Sequence, residues 1–327
     1  MYSLHFYGRM IADAPRMNAY AEALRQTVKP DSVVMDLGCG PGVFALLACK
    51  FGARRVYAVE PNNVIGLARE AAAANGFADR IEFFETMSTE LTLPEPASII
   101  ISDLRGVLPW FQQHIPSIID ARERLLARGG TLIPRRDNLW AAVVEAPAAY
   151  EELVGPWSNR FELDLSTGRH LITNNWRKTR VRPEELLVEP VCWTTIDYYE
   201  VDTPDIRAGI WWRVARNGTA HGIAVWFDSD LAEGIGFSNH PAAPELIYGN
   251  GLFPFSQPVE VLQDEVVNLR LEAKMVGDDY VWRWDTDVFR RDDETRPKVS
   301  FKQSTFFGVP LSTTQLQKAR RKSGVVS

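Results

Sequence analysis

The strongest constraint on this chain is the stretch Val33-Val34-Met35-Asp36-Leu37-Gly38-Cys39-Gly40-Pro41-Gly42. An apolar run ends in glycines at alternate positions, and helical spacing begins at about Val43. This reads as a buried strand, a glycine-rich turn and a helix. A second apolar run, Val56-Tyr57-Ala58-Val59-Glu60, ends in an acid about twenty residues past the glycines, the spacing of a nucleotide-binding βαβ unit. Glycines let the backbone approach a ligand closely and take torsions that other residues resist. An acid at the tip of the second strand can accept hydrogen bonds from both ribose hydroxyls.

A dinucleotide loop sets a helix N-terminus against a pyrophosphate, with a third glycine keeping helix and strand close. Here Gly38, Gly40 and Gly42 follow a GxGxG spacing, and Asp36 precedes them. An acid there repels a pyrophosphate but suits a cationic sulfonium ligand with an ammonium group, which points to S-adenosylmethionine, with S-adenosylhomocysteine as its product. The run from Asp36 to Gly42, followed by Val59-Glu60-Pro61, is similar to motif I and its successor in class I methyltransferases.

Alternation continues to about residue 134. Ala12 to Val28 has helical spacing closed by Pro30, and Asn62 or Asn63 caps a helix ending near Gly76. Strands fall at Ile81 to Glu85 and Ala97 to Asp103. A helix from about Pro116 to Ala127 stops at Arg128-Gly129-Gly130, before a strand at Thr131 to Ile133. Alternating strands and helices imply a parallel sheet covered on both faces. After Pro134 the pattern changes, and eight of the ten tryptophans lie beyond residue 150. Asn217-Gly218 between Ile206 to Val214 and Ala220 to Asp228 signals a hairpin. Val259 to Leu262, Val266 to Lys274 and Tyr280 to Trp284 alternate as strands, with a turn at Gly277-Asp278. The expected division is a helical segment closing the cofactor site (1–30), a Rossmann-like domain (31–134), an antiparallel β-barrel domain (135–300) and a basic tail (301–327). Residues 156–182 form a polar, irregular insertion.

An α/β methyltransferase unit followed by a β-barrel resembles the protein arginine methyltransferase family, over roughly residues 2–285. Met10-x-x-Asp13-x-x-Arg16-x-x-x-Tyr20 is similar to the family's N-terminal helix motif, and the resemblance gives Arg16 the methionine carboxylate of the cofactor. It also implies that Asp36, Gly38 and Gly40 line the methionine and ribose side, that Glu60 and Pro61 stand at the ribose, and that Met87 and Ser88 contact adenine. The insertion 156–182 corresponds to a dimerisation arm, which implies a homodimer.

The family holds its substrate guanidinium with two glutamates. The matching positions here are Asp103 and Gln112, with Arg105 adding a positive charge to the loop between them. The family's Thr-His-Trp loop matches 243–251, which has neither histidine nor tryptophan, and His240 lies just before it. The cofactor half of the motif set is intact and the substrate half is altered. Asp103, ending the fourth strand, is the expected base, and Gln112 a hydrogen-bonding partner for substrate. Trp110, Phe111 and Tyr248 suit an apolar or aromatic ring. The acceptor is then a protein arginine or a small metabolite, the methylated atom a nitrogen or oxygen, and the alternative is a catalytically silent, dimeric scaffold.

Composition limits the other classes. No apolar run matches a membrane span. Cys39, Cys49 and Cys192 have no metal-ligand or disulfide spacing, so no metal is expected and a reducing cytoplasm fits. A net charge of −6 argues against a nucleic-acid substrate.

Overall fold

The computed structural model describes residues 3–158 and 161–308. The basic run 318–322 lies outside the described residues. The chain opens with two helices, α1 (Leu4–Ala12) and α2 (Ala14–Thr27), where one was expected. Asp13 makes the break: its side chain accepts from the Arg16 amide at 3.5 Å and caps α2, with Pro15 in the first turn.

The α/β unit then runs β1 (Val33–Leu37), α3 (Val43–Lys50), β2 (Arg55–Val59), α4 (Ile65–Ala74), β3 (Ile81–Phe84), β4 (Ala97–Ser102), α5 (His114–Arg124) and β5 (Leu126–Ile133). The strands form a parallel sheet in the order β3-β2-β1-β4-β5. Every residue of β1 is buried, as an interior parallel strand requires. Two boundaries differ from expectation. Neither Asn62 nor Asn63 caps α4: Val64 takes the N-cap position with no side-chain hydrogen bond, and the Asn62 side-chain amide donates to Glu60. Arg128-Gly129-Gly130 does not stop a helix, because α5 ends at Arg124 and Gly129, at φ +73°, falls in a register shift inside β5.

The second half contains β6 (Arg136–Val144), α6 (Pro147–Val154), α7 (Thr167–Ile172), β7 (Arg177–Thr179), β8 (Val191–Asp197), β9 (Ile206–Arg213), β10 (Gly218–Ala232), β11 (Ile235–Ser238), β12 (Asn250–Val261), β13 (Val266–Val276), β14 (Asp279–Phe289) and β15 (Val299–Ser304). They make two antiparallel sheets, β7-β12-β10-β6-β8 with β11 on β10, and β15-β14-β13-β9. The two sheets meet where β8 approaches β9 and β12 approaches β15. β15 carries this unit beyond the expected boundary at residue 300.

The Asn217-Gly218 hairpin is not formed. β9 pairs with β13 and β10 pairs with β6 and β12, so the two flanking strands enter different sheets. Asn217 instead accepts from the Gln263 amide at 2.7 Å. The insertion is more ordered than its composition suggests: it holds α7, and β7 pairs with β12. The Gly277-Asp278 turn is as read, joining β13 and β14.

Candidate active site

The carboxyl ends of β1, β2, β3 and β4 open into one cleft of about 800 Å³, the place where α/β sheets bind ligands. Gly38, Glu60, Pro61, Met87 and Ser88 line it, as does α1 through Tyr7 and Met10. Gly38 has φ +74°, and a Cβ there would collide with the Leu104 side chain. Gly40 sits under Tyr7, where a Cβ would meet the ring at 2.8 Å, so α1 lies directly on the glycine turn. Glu60 is 6% exposed and accepts from the backbone amides of Gly40 at 3.2 Å and Asn62 at 3.0 Å. These bonds aim the carboxylate and leave it acceptor capacity. The buried Ser88 hydroxyl has no partner among the described residues. A strand-end acid, a glycine wall and an unpaired hydroxyl in one cleft fit a nucleoside carrying a charged tail.

Asp36 is not a lining residue. It lies beneath the turn, 1% exposed, and accepts from the Ala45 amide at the start of α3 at 2.9 Å. Burial raises its pKa to about 7, helped by Glu60 and opposed by that amide. Gly40, with Arg16, lines a smaller adjoining cavity of about 60 Å³ that shares Tyr7, Met10, Gly38 and Asp103 with the cleft.

The Met10-Asp13-Arg16-Tyr20 motif is fully employed. Arg16 donates from Nε to Asp103 at 2.7 Å and to the Tyr248 hydroxyl at 3.0 Å, and from Nη1 to the Met10 carbonyl at 3.0 Å. Asp13 accepts from the Ile247 amide at 2.7 Å, which ties the 239–249 loop of the β unit to the start of α2. Tyr20 accepts from Arg105 at 3.1 Å and donates to the Ser102 carbonyl at 3.2 Å.

Asp103 is therefore a compensated carboxylate. Its oxygens face Arg16, the Tyr248 hydroxyl at 2.7 Å and Arg105 Nε at 3.4 Å. Burial opposes its ionisation, but the two guanidinium groups outweigh burial and hold it below the usual carboxylate range. That pairing makes it a poor proton acceptor, against the expectation that it is the base. Arg105 adds no free charge to the loop either. It turns inward, fully buried, to Asp137 on β6 at 2.7 Å and Ser229 on β10 at 2.8 Å, with its guanidinium over the Phe227 and Phe237 rings. Arg16, Arg105, Asp103 and Asp137 thus form a buried set of zero net charge.

Gln112 lines the cleft at φ 44°, exposed, on the turn before α5. His240 is elsewhere: its Nδ1 accepts from the Ala242 amide at 3.0 Å and its ring meets Trp226 edge-on. Sequence reasoning missed His114, which lines the cleft with Nε2 3.0 Å from the Tyr198 hydroxyl. Tyr198 donates to Asp137 at 2.6 Å, so the ring proton is on Nε2. Burial lowers the His114 pKa to about 3, with Arg105 adding to the effect. Also missed were Asp278 and Asp279 at the tip of the β13–β14 hairpin, which reach the cleft from the other half of the molecule.

A second cavity, of about 460 Å³, lies beside the cleft, and Met10, Phe111 and Asp279 line both. Trp110, Phe111 and Tyr248 all line it. Among the described residues no cluster has metal-binding composition, and no helix is long and apolar enough to cross a membrane.

Residues 135–287 match the family model of the arginine methyltransferase oligomerization subdomain, and residues 19–140 match that of the ribosomal protein L11 methyltransferase. The chain is 30% identical over 284 residues to protein arginine N-methyltransferase 2 of Mus musculus, covering 81% of this chain and 63% of that one. It is 25% identical over 273 residues to protein arginine N-methyltransferase 1 of Dictyostelium discoideum, covering 80% of each. Two solved structures share the fold. The arginine methyltransferase 1 enzyme–prozyme heterotetramer of Trypanosoma brucei with AdoHcy has a TM-score of 0.82 at 21% identity, covering 93% of this chain and 98% of that one. Protein arginine methyltransferase 10 of Arabidopsis thaliana has 0.81 at 22%, covering 92% and 97%. In its matched subdomain, its 30%-identical relative and its fold, this chain is similar to the protein arginine methyltransferases.

Proposed function

We propose that this chain is an S-adenosylmethionine-dependent methyltransferase acting on a nitrogen or oxygen nucleophile. The observation that carries the reading is the cleft that sets Gly38, Glu60 and the unpaired Ser88 hydroxyl at successive strand ends. Glu60 would hold the ribose hydroxyls, Ser88 and Met87 the adenine, and Arg16, through the one Nη2 hydrogen that Asp103 does not take, the methionine carboxylate. S-adenosylmethionine supplies an electrophilic methyl carbon. The protein's part is to orient the nucleophile, exclude water and receive a proton. Tyr7 and Met10 on α1 cover the glycine turn and serve exclusion. The relatives' names state protein arginine as their acceptor. The exposed apolar side chains Trp157, Phe161 and Leu163 of the insertion support an arm that docks on a second copy, giving a homodimer. The three cysteines are unpaired, which suits a reducing cytoplasm.

The test is isothermal titration with S-adenosylmethionine and S-adenosylhomocysteine beside Glu60→Ala. Micromolar binding that the substitution abolishes is the expected outcome. Failure of the wild-type protein to bind either ligand overturns the reading.

A further inference from the structure

We infer that the second cavity is the acceptor site, and that it takes a small uncharged aromatic molecule rather than a peptidyl guanidinium. This deepens the methyltransferase reading and rests on it.

The first argument is the wall. Trp110, Trp176, Trp282, Tyr248, Tyr280 and Phe111 line the space. Trp110 and Trp282 meet edge-on with centroids 5.9 Å apart, and Trp176 and Trp282 do so at 6.3 Å. Such a wall offers ring faces and edges to a flat ligand, and about 460 Å³ admits one or two fused rings. The Tyr280 hydroxyl is buried without a partner among the described residues, a cost that a polar substituent on the ligand can relieve.

The second argument is charge. A guanidinium buried here needs compensation. Asp103 cannot give it, since Arg16, Arg105 and Tyr248 already occupy its oxygens. Gln112 is uncharged. Lys178, cationic, lines the cavity itself; Arg105, which also lines it, is neutralised by Asp137, and the one carboxylate among the lining residues is the exposed Asp279. A neutral ring meets none of these penalties.

The third argument is connection. Asp279 lines both the cavity and the cleft; it is exposed, and among the described residues its side chain accepts one hydrogen bond, from the Tyr280 amide at 2.8 Å. It is the carboxylate available at the junction. In the transfer, the acceptor's oxygen or nitrogen forms a bond to the methyl carbon with its lone pair, the methyl–sulfur bond breaks with its electrons remaining on sulfur, and the acceptor's proton passes to Asp279.

The probes are 2-naphthol and 2-naphthylamine, against an arginine-containing peptide, each titrated into the full chain with S-adenosylhomocysteine present and followed by single-turnover methylation. The naphthalenes should bind and be methylated. Trp176→Ala should weaken their binding about tenfold while leaving S-adenosylhomocysteine affinity unchanged. Phe6→Ala, on another wall of the cavity, serves the same purpose should the tryptophan variant fail to fold. Asp279→Asn should keep both affinities and slow methylation about a hundredfold. Binding of S-adenosylhomocysteine without binding or methylation of either naphthalene overturns this inference alone. Naphthalene binding insensitive to both cavity variants, or methylation of the peptide in preference, also overturns it. No binding of S-adenosylhomocysteine overturns the methyltransferase reading instead.

Discussion

Arg105→Met tests the buried charge set most directly. Methionine keeps much of the side-chain volume and removes the guanidinium. Asp137, with no exposed side-chain surface, then loses its 2.7 Å charged partner and keeps only neutral hydroxyls, those of Tyr198 and Ser229. Stranding one member of a buried pair costs about 3–5 kcal/mol. The charge-assisted bonds from the guanidinium to Ser229 and Tyr20 are worth about 1.5–3 kcal/mol each and are not additive with it. The carboxyl can escape part of the cost by protonating. Burial already raises its pKa with Arg105 present, and removing the guanidinium raises it further. Above the ordinary carboxylate pKa the folded variant then holds a proton that the unfolded chain has lost, so its stability falls as pH rises. Urea unfolding at pH 5.5 and pH 8 should show the larger deficit at pH 8. The double variant Arg105→Met/Asp137→Asn should recover most of it at pH 8. A deficit under about 1 kcal/mol, equal at both pH values, refutes the argument that this pair is desolvated and mutually dependent.

Four further outcomes are expected. Glu60→Gln should weaken S-adenosylhomocysteine binding about tenfold by calorimetry, since an amide accepts fewer bonds than a carboxylate while keeping its shape. Gly38→Ala should lose that binding and about 1–3 kcal/mol of stability in denaturant titration, because a Cβ at φ +74° collides with Leu104. Asp36 titrates near 7 when folded and near 4 when unfolded, so the folded state holds the extra proton between those values and stability declines as pH rises through them; Asp36→Asn should flatten that slope in thermal scans from pH 4 to 8. Phe161→Asp with Leu163→Asp should shift sedimentation from dimer to monomer without altering S-adenosylhomocysteine affinity.

The cofactor half of the site was legible because its logic is local. Gly38, Gly40 and Gly42 announce a turn that needs positive φ, and all three have it. Glu60 follows from strand length and spacing. The acceptor half is assembled over long separations that no local pattern carries. Arg105 sounded like a free charge because Asp137 and Ser229 lie 32 and 124 residues away. Asp103 resembled a base for the same reason: Arg16 and Tyr248 stand 87 and 145 residues from it. Asn217-Gly218 misled in the opposite sense. Its dipeptide is a true turn former, but the neighbouring strands find better partners in separate sheets.

The hairpin tip at Asp278 and Asp279 separates two kinds of inheritance. The glycine turn, Glu60 and Arg16 come from the first 60 residues, whereas the tip that closes the junction comes from a turn between two strands some 220 residues later. A two-strand tip can lengthen, shorten or exchange its acids while the ladder beneath it stays intact. Under the proposed function, descendants of such a chain can change what they methylate by drift at one turn, under no pressure to relearn how they hold the methyl donor.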